Sequence, residues 1–347
     1  MLAVVAASRY SSRLCVVDCS FMLPKLPLLG AVLASFALNC AATPLTRCLG
    51  YPDDAKLAIV NADDVGMHPD LDRAAFRLLD EGKIQDLSLM VPAPHFAAAA
   101  AEVRQRHKAV GLHLTLTDEW QEDYGWGAVL PREQVPSLYN PEGRLWGSIE
   151  ELAAHADIDD VRRELLAQIQ KARDAGLTIT HLDTHMVFWR IRNDFINLYL
   201  SLPKLTGIPV VLQLLWHPVA QQLPLSRGEQ LRGNVVADSY IMQYNPEIRP
   251  QNLEVRYDGY DFAVRNLPPG LHQFAVHPAE DTPDARQRIG DIMLRLSDFQ
   301  VWEGPEIHRL MQEKGIQTTD YQRLQALQEA INRQPRNCLN ETPAASR

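Results

Sequence analysis

One stretch decides the fold: Leu57-Ala58-Ile59-Val60-Asn61-Ala62-Asp63-Asp64-Val65-Gly66, an apolar run that ends in two adjacent carboxylates and a glycine. This pattern is typical of a buried strand followed by a loop, because charge begins where burial stops. Two neighbouring acids cost free energy unless a cation or a proton-transfer role makes use of them. A plain strand end with two solvated Asp residues is the alternative, and the rest of the chain decides between the two.

The bulk composition argues against several classes of partner. The 347 residues suit one large domain of barrel size or two ordinary ones, and a hydrophobic content of 46% is ample for a sizeable core. A net charge of -9 argues against nucleic-acid binding, which needs a basic face. No long run of Lys or Arg is present that would hold the chain to an anionic membrane. The oligomeric state stays open.

The start of the chain differs in composition from the rest, and we predict an upstream extension plus a secretory signal peptide over residues 1–42. A lone lysine precedes a nearly continuous apolar run at Leu26–Ala37, which leads into small residues. That run is too short for a stable membrane span. We therefore expect a periplasmic or secreted protein. A lipoprotein anchor at Cys40 is a weaker alternative, and a true start at Met1 or at Met22 stays open.

Cleavage near residue 42 would leave two of the five cysteines, Cys48 and Cys338. An even pair near the two ends of an exported chain can form a disulfide that joins those ends. Two free surface thiols are the alternative, and the sequence leaves both open. No Cys-x-x-Cys pair exists, which argues against a thiolate zinc site.

After Pro52 the chain alternates short apolar runs with stretches of helical periodicity. The runs that we predict as strands are Lys56–Asn61, Leu87–Val91, Val110–Thr117, Leu177–Asp183, Ile208–Leu212, Leu271–His277 and Ile316–Thr318. Such alternation is typical of a parallel α/β fold, and its length and repetition favour a (β/α) barrel over an open sheet. No Gly-x-Gly-x-x-Gly follows the first strand, which removes the main sign of dinucleotide binding.

We predict a single barrel domain over residues 56–335, after an N-terminal segment at 43–55 and before a disordered tail at 336–347. One stretch, residues 118–146, breaks the alternation and is rich in Trp, Tyr, Gly and Pro; it is called the insert below. A connection of this length is uncommon in a compact domain unless it is functional. We predict the insert as a wall of the substrate site, with ordinary loop packing as the alternative. Residues 214–268 resist assignment.

Four predicted strands deliver acids or histidines at the same end, where barrel enzymes carry their chemistry. These residues are Asp63, Asp64, His113, His181, Asp183, His185 and His277. A lone histidine in an apolar strand is more often a core residue than a ligand, but four strands that agree are harder to dismiss. A mixed Asp and His set with open positions suits a divalent metal that activates water, and a second carboxylate beside it can take the proton.

These motifs also carry a resemblance. In order and spacing, the sequence resembles the YdjC-like carbohydrate deacetylases, which include chitooligosaccharide and hopanoid-biosynthesis deacetylases. The matching motifs are Asn61–Gly66, Gly111–Thr117, Thr180–His185 and Val276-His277-Pro278, with Glu164 and Gln168 as a Glu-x-x-x-Gln signature, and with Ser88–Val91 and Ser297-Asp298-Phe299. The resemblance covers about residues 56–325. It implies a distorted (β/α) TIM-like barrel and a metal-dependent amide hydrolase acting on N-acetylated sugars.

Carried over residue by residue, the resemblance implies three metal ligands: Asp64, His113 and His185. Asp63 would be the general base that acts on metal-bound water. His277 would protonate the leaving amine or help to stabilise the tetrahedral intermediate. His181 and Asp183 would orient the ligands, as histidine ligands usually require. The family implies Mg²⁺ as the cofactor, with Zn²⁺ as the alternative, because one carboxylate and two imidazoles also suit softer divalent ions.

The sequence departs from the chitooligosaccharide branch after His185. That branch continues with further histidines, whereas this chain reads Met186-Val187-Phe188-Trp189, and Ala279 stands where a glycine is common. The metal triad survives, but the identity of the small-molecule or oligosaccharide substrate does not carry over. An O-acetyl esterase and a non-catalytic carbohydrate-binding protein on the same fold are the alternatives. A phosphoesterase is disfavoured, since no Arg or Lys cluster follows the motifs.

Overall fold

The stretch around Asp63 forms an inner strand of an all-parallel sheet. The computed structural model describes residues 44–121, 124–215, 217–243, 253–334 and 337–340. Its strands are β1 Lys56–Val65, β2 Asp86–Leu89, β3 Val110–Leu114, β4 Ile179–Thr184, β5 Ser239–Met242, β6 Gly270–Val276 and β7 Ile316–Thr318. Six of the seven predicted strands are therefore present, and β5 is an addition from the segment that resisted assignment.

Helices separate most of these strands along the chain. They are α1 Pro44–Cys48, α2 Pro69–Asp80, α3 Phe96–Gln105, α4 Ile149–His155, α5 Ile158–Asp174, α6 Asn193–Thr206, α7 Val219–Leu231, α8 Leu253–Arg265, α9 Pro283–Arg288, α10 Ile292–Glu303, α11 Pro305–Glu313 and α12 Tyr321–Arg333. Their apolar faces pack on the sheet, as Leu71, Ala99 and Leu165 do in the main core. None of the helices in this described part is both long and apolar enough to cross a membrane.

The strand order is β4-β3-β2-β1-β6-β5, and every pair is parallel. β7 pairs with the first three residues of β1, while β2 pairs with its last half. The sheet curls into a half-barrel, so the carboxyl ends of β1, β3, β4 and β6 face one common site. The prediction of a single α/β domain with a distorted TIM-like barrel is confirmed.

The first strand is longer than the sequence predicts. We place its end at Asn61, but it continues to Val65, so Asp63 and Asp64 lie within the strand. Three steps along β1, from Ala62 to Val65, oppose only two steps along β2. This extra residue is a β-bulge, and Asp64 occupies it with a left-handed φ of 64°. The carboxylates therefore do not mark the start of a loop.

The predicted strand at Ile208–Leu212 is wrong. This segment makes only one isolated parallel bridge, between Leu182 and Val210. Pro209 has no N–H to give to a strand ladder. The hydroxyl of Tyr199 donates to the carbonyl of Val211 at 3.0 Å and so takes the place of a strand partner.

A disulfide between Cys48 and Cys338 joins helix α1 to the segment at residues 337–340. Leu45 and Leu339 are both fully buried in the apolar cluster beside it. The predicted disordered tail is therefore wrong for residues 337–340, which form a turn because the disulfide and the buried leucine hold them. The predicted signal peptide and residues 341–347 lie outside the described residues.

Candidate metal centre

The bulge in β1 brings two neighbouring carboxylates to one side of the sheet. Successive side chains of a regular strand point to opposite faces, but the extra residue at Asp64 breaks that alternation. Asp63 and Asp64 are each only 2% exposed. Each has a carboxylate oxygen within 4.8 Å of a ring nitrogen of His113. The unusual backbone of Asp64 is thus what allows both acids to serve the same site.

Asp64, His113 and His185 converge on one point. The Asp64 Oδ1 atom lies 3.3 Å from His113 Nε2 and 3.2 Å from His185 Nδ1. All three side chains are buried, and their donor atoms lie within 4.8 Å of one another. One carboxylate oxygen and two imidazole nitrogens form a donor set that suits a divalent cation. The three residues that the family resemblance names as ligands are therefore brought together.

Within the part of the chain that the structure describes, two other groups of side chains could hold a cation. Asp63, His113 and Asp183 form one, but Asp183 already occupies the Nδ1 atom of that imidazole at 2.9 Å. The other comprises His68, Asp70 and Asp284. There the Nδ1 of His68 accepts the backbone N–H of Asp70, and its Nε2 lies 3.1 Å from Asp284. Of the three groups, the one around Asp64 directs ring nitrogens of two histidines at one carboxylate oxygen, so it fits a cation best.

Behind His113 stands the carboxylate of Asp183. Asp183 Oδ1 lies 2.9 Å from His113 Nδ1, while its Oδ2 accepts the hydroxyl of Ser88 at 2.8 Å. Asp183 is fully buried. The contact leaves Nε2 of His113 to face Asp64, which is the orienting geometry that we predict for Asp183. It also gives Ser88, in one of the family motifs, a place in the site.

Behind His185 stands Glu119, which the sequence did not single out. Both of its carboxylate oxygens lie 2.9 Å from His185 Nε2. Glu119 belongs to the insert, immediately after Asp118. Burial lowers the pKa of His185, but the charges of Glu119 and Asp64 outweigh burial and raise it to about 9. The only sign of Glu119 in the sequence is its position shortly after the Gly111–Thr117 motif. Acidic residues are so common in loops that this position alone does not indicate a role.

Behind Asp64 stands Arg295 of α10, also missed from the sequence. Its Nη1 lies 2.8 Å from Asp64 Oδ2, and its Nε donates to Asp291 at 2.9 Å. Arg295 is 5% exposed. The guanidinium therefore holds one oxygen of Asp64 and leaves Oδ1 toward the two imidazoles. Arg295 is paired with carboxylates on both sides, so its charge is already used within the protein. Its presence therefore does not change the prediction that a phosphoesterase is disfavoured.

Asp63 lies on the other side of the bulge, beside His277. Its Oδ2 is 3.9 Å from His277 Nε2, and its Oδ1 accepts the side-chain amide of Asn61 at 2.6 Å. The backbone N–H of His277 donates to Asp298 at 2.9 Å, which gives the Ser297-Asp298-Phe299 motif its role at the site. Burial lowers the pKa of His277 to about 4, so its ring is neutral at pH 7.

The two adjacent acids have opposite electrostatic environments. Burial, reinforced by the charge of Asp183, raises the pKa of Asp63 well above its usual range. Burial acts on Asp64 in the same direction, but Arg295 and the two histidines outweigh it and hold the pKa of Asp64 well below its usual range. The ionised form is thus favoured at Asp64, whereas Asp63 is the more basic of the two carboxylates.

His181 does not touch the three converging side chains. Its Nδ1 lies 3.0 Å from the hydroxyl of Thr180, its ring stacks on Tyr321 at 3.8 Å, and its Nε2 is 4.0 Å from Asp183. A Cβ on Gly111 would lie only 2.3 Å from that Nε2 atom, so the glycine makes room for the ring. An orienting role for His181 stays a prediction. His181 would act on the ligands indirectly, through Asp183.

The Glu-x-x-x-Gln signature on α5 holds the loop that follows β3. Gln168 donates to the carbonyl of Thr115 at 2.7 Å and accepts its N–H at 3.0 Å. Glu164 accepts the N–H groups of Val129 and Leu130, at 2.8 and 3.0 Å, and so fastens the insert. The signature is therefore structural, and it fixes the segment that carries Glu119.

The chain after His185 is strained. Met186 and Val187 both have positive φ, 55° and 54°, which is a sparsely populated conformation and a clear outlier for a β-branched residue. Phe188 and Trp189 are buried in the core, whereas Met186 is 45% exposed. The departure from the chitooligosaccharide branch thus leaves one apolar side chain at the surface next to a candidate ligand.

The fold and site together define an α/β half-barrel with a buried Asp-His-His group at the carboxyl ends of its strands. The model of the YdjC-like protein family matches residues 57–313, so the chain belongs to the YdjC-like family.

Similar proteins of known name agree with this membership. The chain is 25% identical to a carbohydrate deacetylase of Enterococcus faecalis, over 78% of this chain and 98% of that protein. It is 28% identical to a carbohydrate deacetylase of Thermus thermophilus, over 74% of this chain and 90% of that protein. A crystal structure from Enterococcus faecalis, described as a cellobiose-phosphate cleavage protein, shares the fold with a TM-score of 0.66. It is 22% identical and covers 78% of this chain and 99% of that one.

Proposed function

We propose that this protein is a metal-dependent carbohydrate deacetylase, which hydrolyses the acetamide of an N-acetylated sugar or glycoconjugate. The relatives named carbohydrate deacetylase support the reaction and the class of substrate. The convergence of Asp64, His113 and His185 supports metal dependence. On this proposal the protein is a hydrolase of linear amide C–N bonds, and its substrate is a small molecule or an oligosaccharide.

A single observation carries the proposal: adjacent carboxylates with opposed pKa shifts and separate partners. Asp64 faces His113, His185 and Arg295, so it is suited to hold a cation while ionised. Asp63 has a raised pKa and faces His277, so it is suited to take up and release a proton. Carboxylates whose environments push their pKa values apart are typical of acid–base catalysis. Two acids with only a structural role at a strand end would not need different partners and opposite pKa shifts.

The protein residues have these roles in the proposed reaction. A divalent cation held by Asp64, His113 and His185 would supply Lewis acidity and lower the pKa of water. Asp63 takes a proton from the attacking water. Asn61 orients the carboxylate of Asp63 by donating to its Oδ1 atom. The oxygen of water joins the acetyl carbon, the C–N bond breaks, and the proton passes to the leaving nitrogen. The neutral imidazole of His277, 3.9 Å from Asp63, is placed to relay this proton: it takes the proton from Asp63 and passes it to that nitrogen.

The metal proposed first is Mg²⁺, on the family resemblance, with Zn²⁺ as the alternative. Two imidazole nitrogens favour Zn²⁺ by ligand type, whereas Mg²⁺ prefers oxygen ligands. Metal analysis of protein purified without added metal distinguishes the two. The ion that copurifies in stoichiometric amount and supports turnover is the cofactor.

The function is tested by acetate release from a panel of N-acetyl and O-acetyl sugars, both monomers and oligomers. The proposal predicts release from at least one N-acetyl member. Release from O-acetyl members alone would replace the amide hydrolase with an esterase. No release from any member, together with measurable binding of the sugars, would favour a carbohydrate-binding protein and contradict the proposal.

We also propose that the protein acts outside the cytoplasm. The disulfide between Cys48 and Cys338 supports this location, because disulfides persist in oxidising compartments. Fractionation of cells that make the full-length chain tests it, with the oxidation state of the two cysteines assayed by alkylation. Protein found only in the cytoplasm with both thiols reduced would contradict the location.

A further inference from the structure

The imidazole of His185 is held from two sides by different parts of the chain. Its Nδ1 lies 3.2 Å from Asp64 Oδ1, on the strand side. Its Nε2 lies 2.9 Å from both oxygens of Glu119, on the insert side. His185 is 4% exposed, and the side chain of Glu119 is 26% exposed. The carboxylate of Glu119 therefore lies between a buried candidate ligand and solvent.

We propose that Glu119 is a positioning residue of the metal centre, so that the insert is part of that centre. A proton on Nε2 of His185 is shared with Glu119, and this leaves the lone pair of Nδ1 directed toward the cation position beside Asp64. Glu119 thus selects the tautomer and the ring orientation that a ligand needs. The inference rests on the metal centre of the proposed function and adds a residue that the family motifs do not contain.

The same arrangement at His113 supports this role. His113 presents Nε2 to Asp64 at 3.3 Å and Nδ1 to Asp183 at 2.9 Å. Each candidate histidine ligand therefore has one nitrogen toward Asp64 Oδ1 and the other against a carboxylate. A histidine that binds a metal usually donates its second N–H to such a group. Glu119 is to His185 what Asp183 is to His113.

The insert is braced so that Glu119 has a fixed position. The neighbouring Asp118 accepts the backbone N–H groups of Trp120 and Trp126, at 3.1 and 2.9 Å. The N–H of Asp118 donates to the carbonyl of Trp146, the last residue of the insert, at 2.8 Å. Both ends of the insert are thus tied together at the residue before Glu119, which lowers the entropy cost of holding its side chain on His185.

Thermodynamic linkage gives this contact a second consequence. If Glu119 stabilises the cation-binding form of His185, the cation must in turn stabilise the contact between Glu119 and His185. Binding of the cation should then reduce local opening of the insert. Hydrogen exchange of backbone amides in residues 124–146 reports this opening directly. Helix α2 contains none of the three candidate ligands and serves as the internal reference.

The experiment is a Co²⁺ titration of metal-free protein by calorimetry and by absorption, because Co²⁺ absorption reports ligand geometry. The variants are Glu119→Ala and Glu119→Gln, with Glu133→Gln as the matched control on an exposed part of the insert. Glu119→Ala should bind Co²⁺ about 10- to 100-fold more weakly than wild type. Glu119→Gln keeps a hydrogen-bond acceptor but loses the charge, so its Co²⁺ affinity should lie between those of Glu119→Ala and wild type. Glu133→Gln should bind as wild type does.

Two further readouts separate positioning from folding. At saturating Co²⁺ the absorption spectrum of Glu119→Ala should differ from that of wild type, while its metal-free circular dichroism should match. Co²⁺ should slow exchange in residues 124–146 of wild type, and slow it less in Glu119→Ala. Equal Co²⁺ affinity and an equal spectrum in wild type and Glu119→Ala would overturn the inference alone. Wild type that binds no Co²⁺ would overturn the metal centre and this inference with it.

Discussion

The carboxyl ends of β1, β3 and β4 and the insert both bring side chains to the candidate metal centre, but they hold them by different means. Asp64 and His113 sit on strands whose backbones are fixed by a parallel ladder, and both are almost fully buried. Glu119 sits on a loop that side chains of Asp118 and Glu164 fasten, and it remains partly exposed. The strand ends therefore supply the candidate ligands, and the insert supplies a partly exposed carboxylate that supports one of them.

The largest expected effect comes from removing a strand-end ligand. Asp64→Ala, His113→Ala and His185→Ala should each lose stoichiometric metal and all measurable deacetylation, because each removes one of the three candidate donors. Metal content and acetate release of the purified variants check this. His107→Asn, at an exposed residue with positive φ that Asn tolerates, is the control. Full metal content in all three variants would end the assignment of the ligands.

The next largest effect tests whether Asp63 and Asp64 have different roles. Asp63→Asn should keep its metal but lose about 10²- to 10⁴-fold in kcat, because the amide cannot take the proton from water. Metal analysis and steady-state kinetics on one preparation measure both quantities. Loss of metal with the same substitution would show that Asp63 is a ligand, and the division of labour between the two acids would be wrong.

A smaller effect is expected from removing the carboxylates that contact the histidine ligands, one buried and one partly exposed. Asp183→Asn should weaken metal binding by about 10- to 100-fold, toward the upper end of the range for residues that orient metal ligands. Because Asp183 is fully buried and Glu119 is partly exposed, solvent screens Glu119 more, and its loss should cost less. Titration with Co²⁺ of Asp183→Asn beside Glu119→Gln compares them. A larger effect at Glu119 would reverse the order of support.

The smallest expected effect concerns the fastening of the insert. Glu164→Gln replaces the carboxylate that accepts the N–H groups of Val129 and Leu130, while it leaves every ligand contact in place. We expect a several-fold rise in KM with little change in kcat, since a loosened insert positions substrate less well. Glu142→Gln, exposed on the insert, is the control. Unchanged KM would argue that the insert is not a wall of the substrate site.

The meeting of polar residues from several strands at one edge of the sheet could be predicted from the sequence, because burial leaves few choices there. Continuous apolar runs indicate parallel strands, and polar residues at their ends must meet at one edge of the sheet. The bulge at Asp64 could not be predicted in this way, since the residues carry no mark of the extra step in register. Pro209 also shows that an apolar run is not enough when a strand lacks a donor.

Glu119 and Arg295 escaped prediction for a different reason. Each lies on an element without a repeating pattern toward the site, and each is placed by tertiary contacts alone. Arg295 reaches Asp64 from a helix more than 200 residues further along the chain. The family motifs contain the candidate ligands and the candidate base, whereas Glu119 and Arg295, which contact the candidate ligands, become visible only when the chain is folded.

We propose above that this chain uses a protein-bound divalent cation to hydrolyse an acetylated sugar. The most direct test of this proposal is acetate release from a substrate of the panel, before chelation, after removal of metal, and after return of Mg²⁺ or Zn²⁺. We expect release to stop on chelation and to recover with at least one of these ions, and we expect no recovery of Asp63→Asn with either ion. Undiminished release from protein shown to be free of metal would contradict metal-dependent hydrolysis.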